Sequence, residues 1–167
     1  MRMSAPVIAA VNGPAAGAGM SLAAACDIVV ASEAASFTMA YTGAGLSPDG
    51  GATWTIPRRI GHGRARELVL TNRKLNAAEA LDWGFATEVV SADALGARAR
   101  ALAETFATGP TAAYGRAKSL FAETFHNGLE TQLELEARAI ADSARGDDAR
   151  EGVTAFLGKR RPQFRGA

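Results

Sequence analysis

The sequence predicts an α/β fold whose short-stranded first half passes into a wholly helical C-terminal region. Three observations carry this. Short β-branched or apolar runs, "PVIAAV", "DIVVA", "ASFTM" and "FATEVV", all fall before residue 91. Beyond Leu95, apolar residues recur at helical spacing. Between the first two runs lies "NGPAAGAGMSLAAACD" (12–27), where three glycines and a run of alanines follow the first strand directly. That is the pattern of a strand, a glycine-rich turn and a small-residue helix.

Pro6–Val11 reads as a buried strand closed by the turn dipeptide Asn12-Gly13. "GAGMSLAAAC" reads as a short helix with almost no polar surface, packed on all sides. Asp27–Ala31 and Ala35–Met39 are the next strands, and the turn formers of "TGAGLSPDGG" (42–51) predict an irregular loop or pocket wall. Helices follow from "ATWTIPRRIG", with Gly61 and Gly63 separating two of them. "NAAEALDWG" is a helix that Gly84 ends, and Phe85–Val90 is one more strand. Four C-terminal helices complete the chain. Their faces are Leu95, Ala99, Leu102 and Phe106; then Ala113, Ala117, Leu120 and Phe121 after Pro110; then Leu129, Leu133, Ala137 and Ile140; and last "DDAREGVTAFLGKRR". There is no internal repeat and no low-complexity tract.

At 167 residues, 48% hydrophobic and 21% charged, the composition is that of a globular chain with a real core. A net charge of +1 gives no electrostatic reason to expect nucleic acid or a membrane as partner. The single cysteine, Cys26, excludes an internal disulfide and a cysteine-based zinc cluster, and reads as a small buried residue. His62 and His126 have no carboxylate or cysteine at ligand spacing, so no metal site is expected. No apolar run reaches the length of a membrane span and "MRMSAPVIAA" lacks a signal-peptide core, so a cytoplasmic location is expected.

The glycine-rich turn invites a phosphate reading, and its residues argue against one. A Walker loop requires Lys-Ser/Thr after its last glycine, where Met20-Ser21 stand. In a dinucleotide fingerprint Gly17 and Gly19 fit, but the third glycine is Leu22. The same geometry suits a transient anion, because first-turn N–H groups have no intrahelical partner and the helix dipole adds positive potential. A thioester carbonyl becoming an enolate needs such donors. The alternative is that small residues simply allow close helix–strand packing.

Three blocks, "PVIAAVNGPAAGAGMSLAAACDIVVASEAASF", "GLSPDGGATWTIPRRIGHGRARELVLTNRKLNAAEALDWGFATEVV" and "EGVTAFLGKRRPQF", resemble the enoyl-CoA hydratase/isomerase (crotonase) superfamily, in order and across essentially the whole chain. The resemblance implies a spiral ββα core, incomplete here, over residues 1–108, and a helical region for trimerisation over residues 109–167. Roughly the first third of the family's length lies outside this chain. That third would carry a second oxyanion donor and much of the coenzyme A site, and a one-donor hole would be about a hundredfold or more slower. The resemblance places one oxyanion N–H on Ala18, flanked by Gly17 and Gly19.

Hydratases of the family use two glutamates, whose positions fall here on Ser21 and Tyr41. Neither hydroxyl is a carboxylate at neutral pH, which disfavours two-acid hydration. The remaining acid, Asp49 in "SPDGG", reads unaided as a turn residue or the N-cap of the following helix. The segment "GLSPDGGATWTIPR" resembles the branch that isomerises ring-epoxides of phenylacetyl-CoA, which implies that Asp49 is the acid/base. Gly17, Gly19, Met20, Ser21 and Tyr41 are candidate substrate-binding residues, and Met20 and Met39 read alternatively as core. Phe156 and Lys159 match positions that contact coenzyme A, or else form a basic helix end. Arg58, Arg59, Arg160 and Arg161 read as solvated surface, Trp54 and Trp83 as core or pocket wall.

The expected function is therefore an acyl-CoA isomerase that shuttles a proton on a thioester enolate. It would need no cofactor, coenzyme A being part of the substrate, and would act as a trimer or dimer of trimers. The alternatives are an enoyl-CoA hydratase, a Δ3,Δ2-enoyl-CoA isomerase, or a truncated, non-catalytic oligomerisation module.

Overall fold

Asn12 and Gly13 end one strand and redirect the chain into another, so that successive strands enter different sheets. The computed structural model describes residues 3–166. Strand β1 (Ile8–Val11) is followed by β2 (Pro14–Ala16), helix α1 (Ala18–Ala25), β3 (Ile28–Ser32) and β4 (Ser36–Thr38). β1 and β3 pair in parallel, Ile8 opposite Ile28, and β2 and β4 pair in parallel, Pro14 opposite Ser36. Each passage through strand, strand and helix thus advances both sheets by one strand, which is the ββα spiral that the resemblance implied.

The chain continues through a 3₁₀ turn (Thr42–Ala44), α2 (Ala52–Ile60), α3 (His62–Thr71), β5 (Leu75–Asn76), α4 (Ala77–Asp82) and β6 (Glu88–Val90). The first sheet is ordered β1-β3-β6 and the second β2-β4-β5, with β5 antiparallel. Pro14 opens an edge strand, where its missing N–H costs no central ladder bond. Four strand stretches read from the sequence are present. β2 and β5 are additional, being three and two residues long and too short to show alternation.

Residues Val7–Ala101 form one compact unit. Its core is built from Met20, Val29, Phe37, Ile56, Leu68, Leu75 and Phe85, none more than 1% exposed. The Phe37 and Phe85 rings meet at 4.7 Å between centroids, tilted by 56°. Buried Ala23 and Ala24 give α1 a smooth face for close packing. That helix is not enclosed on every side, however: Leu22 is 70% exposed, and Cys26 is only half-buried.

The second unit comprises Leu102 onward and the residues before Val7. It holds the last six residues of α5 (Leu95–Ala107) and all of α6 (Thr111–Glu123), α7 (Leu129–Ala144) and α8 (Asp147–Leu157). The stripe expected to bury α7 does not do so. Leu129, Leu133, Ala137 and Ile140 are exposed, while Gln132, Leu135, Ala139 and Ser143 are half-buried. Gln132 Nε2 donates to Leu120 O on α6 at 3.3 Å, and Arg116 of α6 lies 3.4 Å from Ser143 Oγ. Among the described residues no helix is long and apolar enough to cross a membrane, and no cluster of three or more histidine, cysteine or acidic side chains is placed to hold a metal.

Candidate active site

Gly17 marks the change from strand to helix. Its N–H donates to Thr38 O at 2.9 Å, and its backbone takes φ 51°, ψ −119°, a conformation that a side chain would strain. α1 begins on the next residue, so the amides of Ala18 and Gly19, both exposed residues, have no intrahelical acceptor. The first intrahelical bond in this turn is Ser21 N–H to Gly17 O, at 3.0 Å.

Asp49 reaches this turn through two hydroxyls. The Tyr41 phenol donates to Asp49 Oδ1 at 2.7 Å, and Ser21 Oγ lies 2.9 Å from the same phenol oxygen and 3.1 Å from Gly17 O. Ser21, Tyr41 and the Asp49 carboxylate therefore form one hydrogen-bonded cluster. Ser21 is 1% exposed and Tyr41 9%, whereas Asp49 is open to solvent. Burial, reinforced by the Asp49 carboxylate, pushes the Tyr41 phenol above its ordinary value of 10, against a smaller lowering by Ser21.

The backbone around this cluster is specialised. Ala40 takes φ 57°, and the Tyr41 N–H folds back on Met39 O at 2.7 Å, a γ-turn of the uncommon positive-φ kind. Tyr41 O then accepts the amides of Ala44 and Leu46, which fixes the loop leading to Asp49. Gly50, at φ 60°, lets the loop settle on α1: a Cβ there would come within 3.2 Å of Ser21 Cβ. Asp49 is not the side-chain cap of α2. Gly51 holds the N-cap position, and Asp49 contributes only its carbonyl, to Ala52 N–H at 3.1 Å.

Gly17, Ala18, Gly19, Ser21, Tyr41 and Asp49 are thus brought together at one turn. Met20 follows the same turn but points inward, fully buried in the core rather than toward a ligand face. Phe156 and Lys159 belong to the second unit, at the end of α8; Phe156 is 82% exposed and Lys159 has φ 49°. One of the arginines read as solvated surface, Arg59, is not so. Arg59 is half-buried and donates to Ala24 O at 2.9 Å, to Cys26 O and to Phe85 O at 3.5 Å. Arg160 pairs with Glu151 at 2.5 Å. Trp54 and Trp83 are only half-buried, capped by arginines: Arg58 at 3.8 Å over Trp54, and Arg64 and Arg73 each at 4.7 Å over Trp83.

The family model for enoyl-CoA hydratase/isomerase matches residues 1–167. The chain belongs to this family. It is 47% identical over 161 residues to the 1,2-epoxyphenylacetyl-CoA isomerase of Escherichia coli K12, covering 96% of this chain and 62% of that protein. A Rhodobacter capsulatus protein named "probable enoyl-CoA hydratase" is 45% identical over 161 residues, covering 96% and 63%. The crystal structure of an enoyl-CoA hydratase/isomerase from Cupriavidus metallidurans CH34 matches with a TM-score of 0.94 at 40% identity, over 99% of this chain and 62% of that one. The mixed α/β architecture with its parallel sheet is accordingly crotonase-like. The chain spans less than two thirds of the length of these relatives.

Proposed function

We propose that this family member is an acyl-CoA isomerase of the ring-epoxide phenylacetyl-CoA type. Asp49 acts as the acid/base, and the Ala18 N–H is one donor to the thioester oxygen. The observation that carries the reading is the Ser21–Tyr41–Asp49 cluster, in which one carboxylate stands beside first-turn amides and both glutamate positions hold hydroxyls. One carboxylate suits a proton shuttle: it takes a proton from carbon as the electron pair moves onto the thioester oxygen, then returns one elsewhere. The amides at the head of α1 meet the charge that develops on that oxygen. Similarity to the Escherichia coli isomerase supports the same substrate class.

A hydratase is the second reading, favoured by similarity to proteins that bear that name. Offering crotonyl-CoA, a 3-enoyl-CoA and the phenylacetyl-CoA ring-epoxide separates hydration from the two isomerisations. Asp49→Asn is expected to abolish turnover of the epoxide while acyl-CoA binding by calorimetry persists. Unchanged turnover removes Asp49 from the mechanism.

The proposal extends to a chain that works without a separate cofactor, in the cytoplasm, as a homo-oligomer joined through its C-terminal helices. Its exposed Leu133, Ile140 and Phe156 support the last point. Phe156 and Lys159 are proposed to meet coenzyme A, and Gly17, Gly19, Ser21 and Tyr41 to shape the acyl site. A chain that assembles but binds no acyl-CoA would instead be an oligomerisation module.

A further inference from the structure

The single proton of the Tyr41 phenol is committed to Asp49, because a carboxylate oxygen can only accept. Ser21 Oγ then has no proton to receive from Tyr41. Its own proton goes to the phenol oxygen or to Gly17 O, 2.9 and 3.1 Å away. The Tyr41 phenol therefore always donates to the carboxylate, whichever acceptor the Ser21 hydroxyl takes. The surrounding backbone holds this arrangement at a cost. Ala40 keeps a left-handed φ of 57°, which a residue with a Cβ rarely adopts. The result of that turn is to aim the Tyr41 ring over Gly17, where a Cβ would sit 3.8 Å from the ring.

We propose that Tyr41 is the positioning residue of Asp49: its phenol occupies Oδ1, orients the carboxylate, and leaves Oδ2 as the oxygen that exchanges the substrate's proton. This rests on the reading of Asp49 as the base. Ser21 steadies the phenol from behind, which gives a function to the two side chains that stand where a hydratase carries its acids. A carboxylate on an exposed loop rotates freely unless one oxygen is held, and a charge-assisted hydrogen bond of 2.7 Å holds it. Proton transfer from carbon depends on that alignment, so the bond acts on turnover rather than on substrate affinity.

Two measurements on the full chain test this. The first follows tyrosinate formation by ultraviolet difference spectroscopy during a pH titration. The chain has two tyrosines, and Tyr41→Phe removes the Tyr41 step and so identifies it. Asp49→Asn is expected to move the identified step to lower pH, because the neighbouring negative charge has gone. A step that stays in place in Asp49→Asn overturns the proposal. The second is turnover of the phenylacetyl-CoA ring-epoxide. Tyr41→Phe is expected to lose about tenfold in kcat at unchanged KM. Loss of turnover in Asp49→Asn with native kcat in Tyr41→Phe overturns the positioning role alone. Native turnover in Asp49→Asn overturns the assignment of the base, and the positioning role with it. Should no acyl-CoA be turned over, the titration decides by itself.

Discussion

Arg59 joins three backbone carbonyls from separate parts of the first unit: Ala24 and Cys26 where α1 ends, and Phe85 just before β6. The last carbonyls of a helix have no intrahelical donor, and a guanidinium offers five N–H groups in a fixed fork. Burial lowers the pKa of Arg59 from its ordinary value, yet a guanidinium remains charged throughout the working range. Removing it leaves those acceptors poorly satisfied. Arg59→Ala is expected to cost about 2–3 kcal/mol, with a melting midpoint lower by roughly 5–10 °C. Arg59→Lys should recover only part of this, since one ammonium cannot span the three carbonyls. Calorimetric melting of the two variants checks both statements, and equal midpoints for Arg59→Ala and the native chain would refute them. The sequence held a signal for Arg59: it falls on the buried face of α2, spaced with Ala52, Ile56 and Ile60. Charge alone suggested solvent. No such signal marked Ala40, because alanine has no preference for positive φ and tertiary packing imposes the turn.

At the scale of elements, the end of α8 shows how a tail is fastened. Glu151 accepts from Arg160 and from the Gln163 amide, while Asp148, one turn earlier, accepts the amides of Arg165 and Gly166. The Arg160 guanidinium, with the Gln163 amide, holds the Glu151 carboxyl down at about 2. A carboxylate whose folded pKa is depressed stabilises its contacts above the unfolded value and loses that contribution as pH falls through the folded one. The window here runs from an ordinary 4.5 down to about 2. Acidification across it is expected to release the segment after Arg160, seen as faster exchange of the Gln163 amide, and Glu151→Gln should show the fast exchange already at neutral pH. Exchange that is independent of pH, once its chemical rate is corrected, would contradict this. These links were invisible in the sequence, which gave only a basic helix end. Elements with long periodicity were legible, whereas β2 and β5 were not, because strands so short are made by their partners rather than by their own pattern. The turn from Gly17 to Ser21 was legible as a site, but its connection to Asp49 depends on a loop whose path no spacing rule predicts.

For the whole molecule, the apolar residues left in water carry the remaining consequence. Leu129, Leu133 and Ile140 on α7 are 54–69% exposed, and Val153, Phe156 and Leu157 on α8 are 62–82% exposed. Burying one such side chain fully is worth about 1.5–3 kcal/mol, so covering several of them would favour association. The net charge of +1 offers little repulsion between copies. If the C-terminal helices join copies of this chain, as proposed, light scattering should give a multiple of 17.2 kDa that persists on dilution. Leu133→Asp with Ile140→Asp should reduce that mass to a single chain without loss of helical circular dichroism. Both side chains project away from the half-buried face of α7, so charging them leaves the packing against α6 intact. A single-chain mass for the unaltered protein would overturn the homo-oligomer. An unchanged mass in the double variant would move the contact to another face.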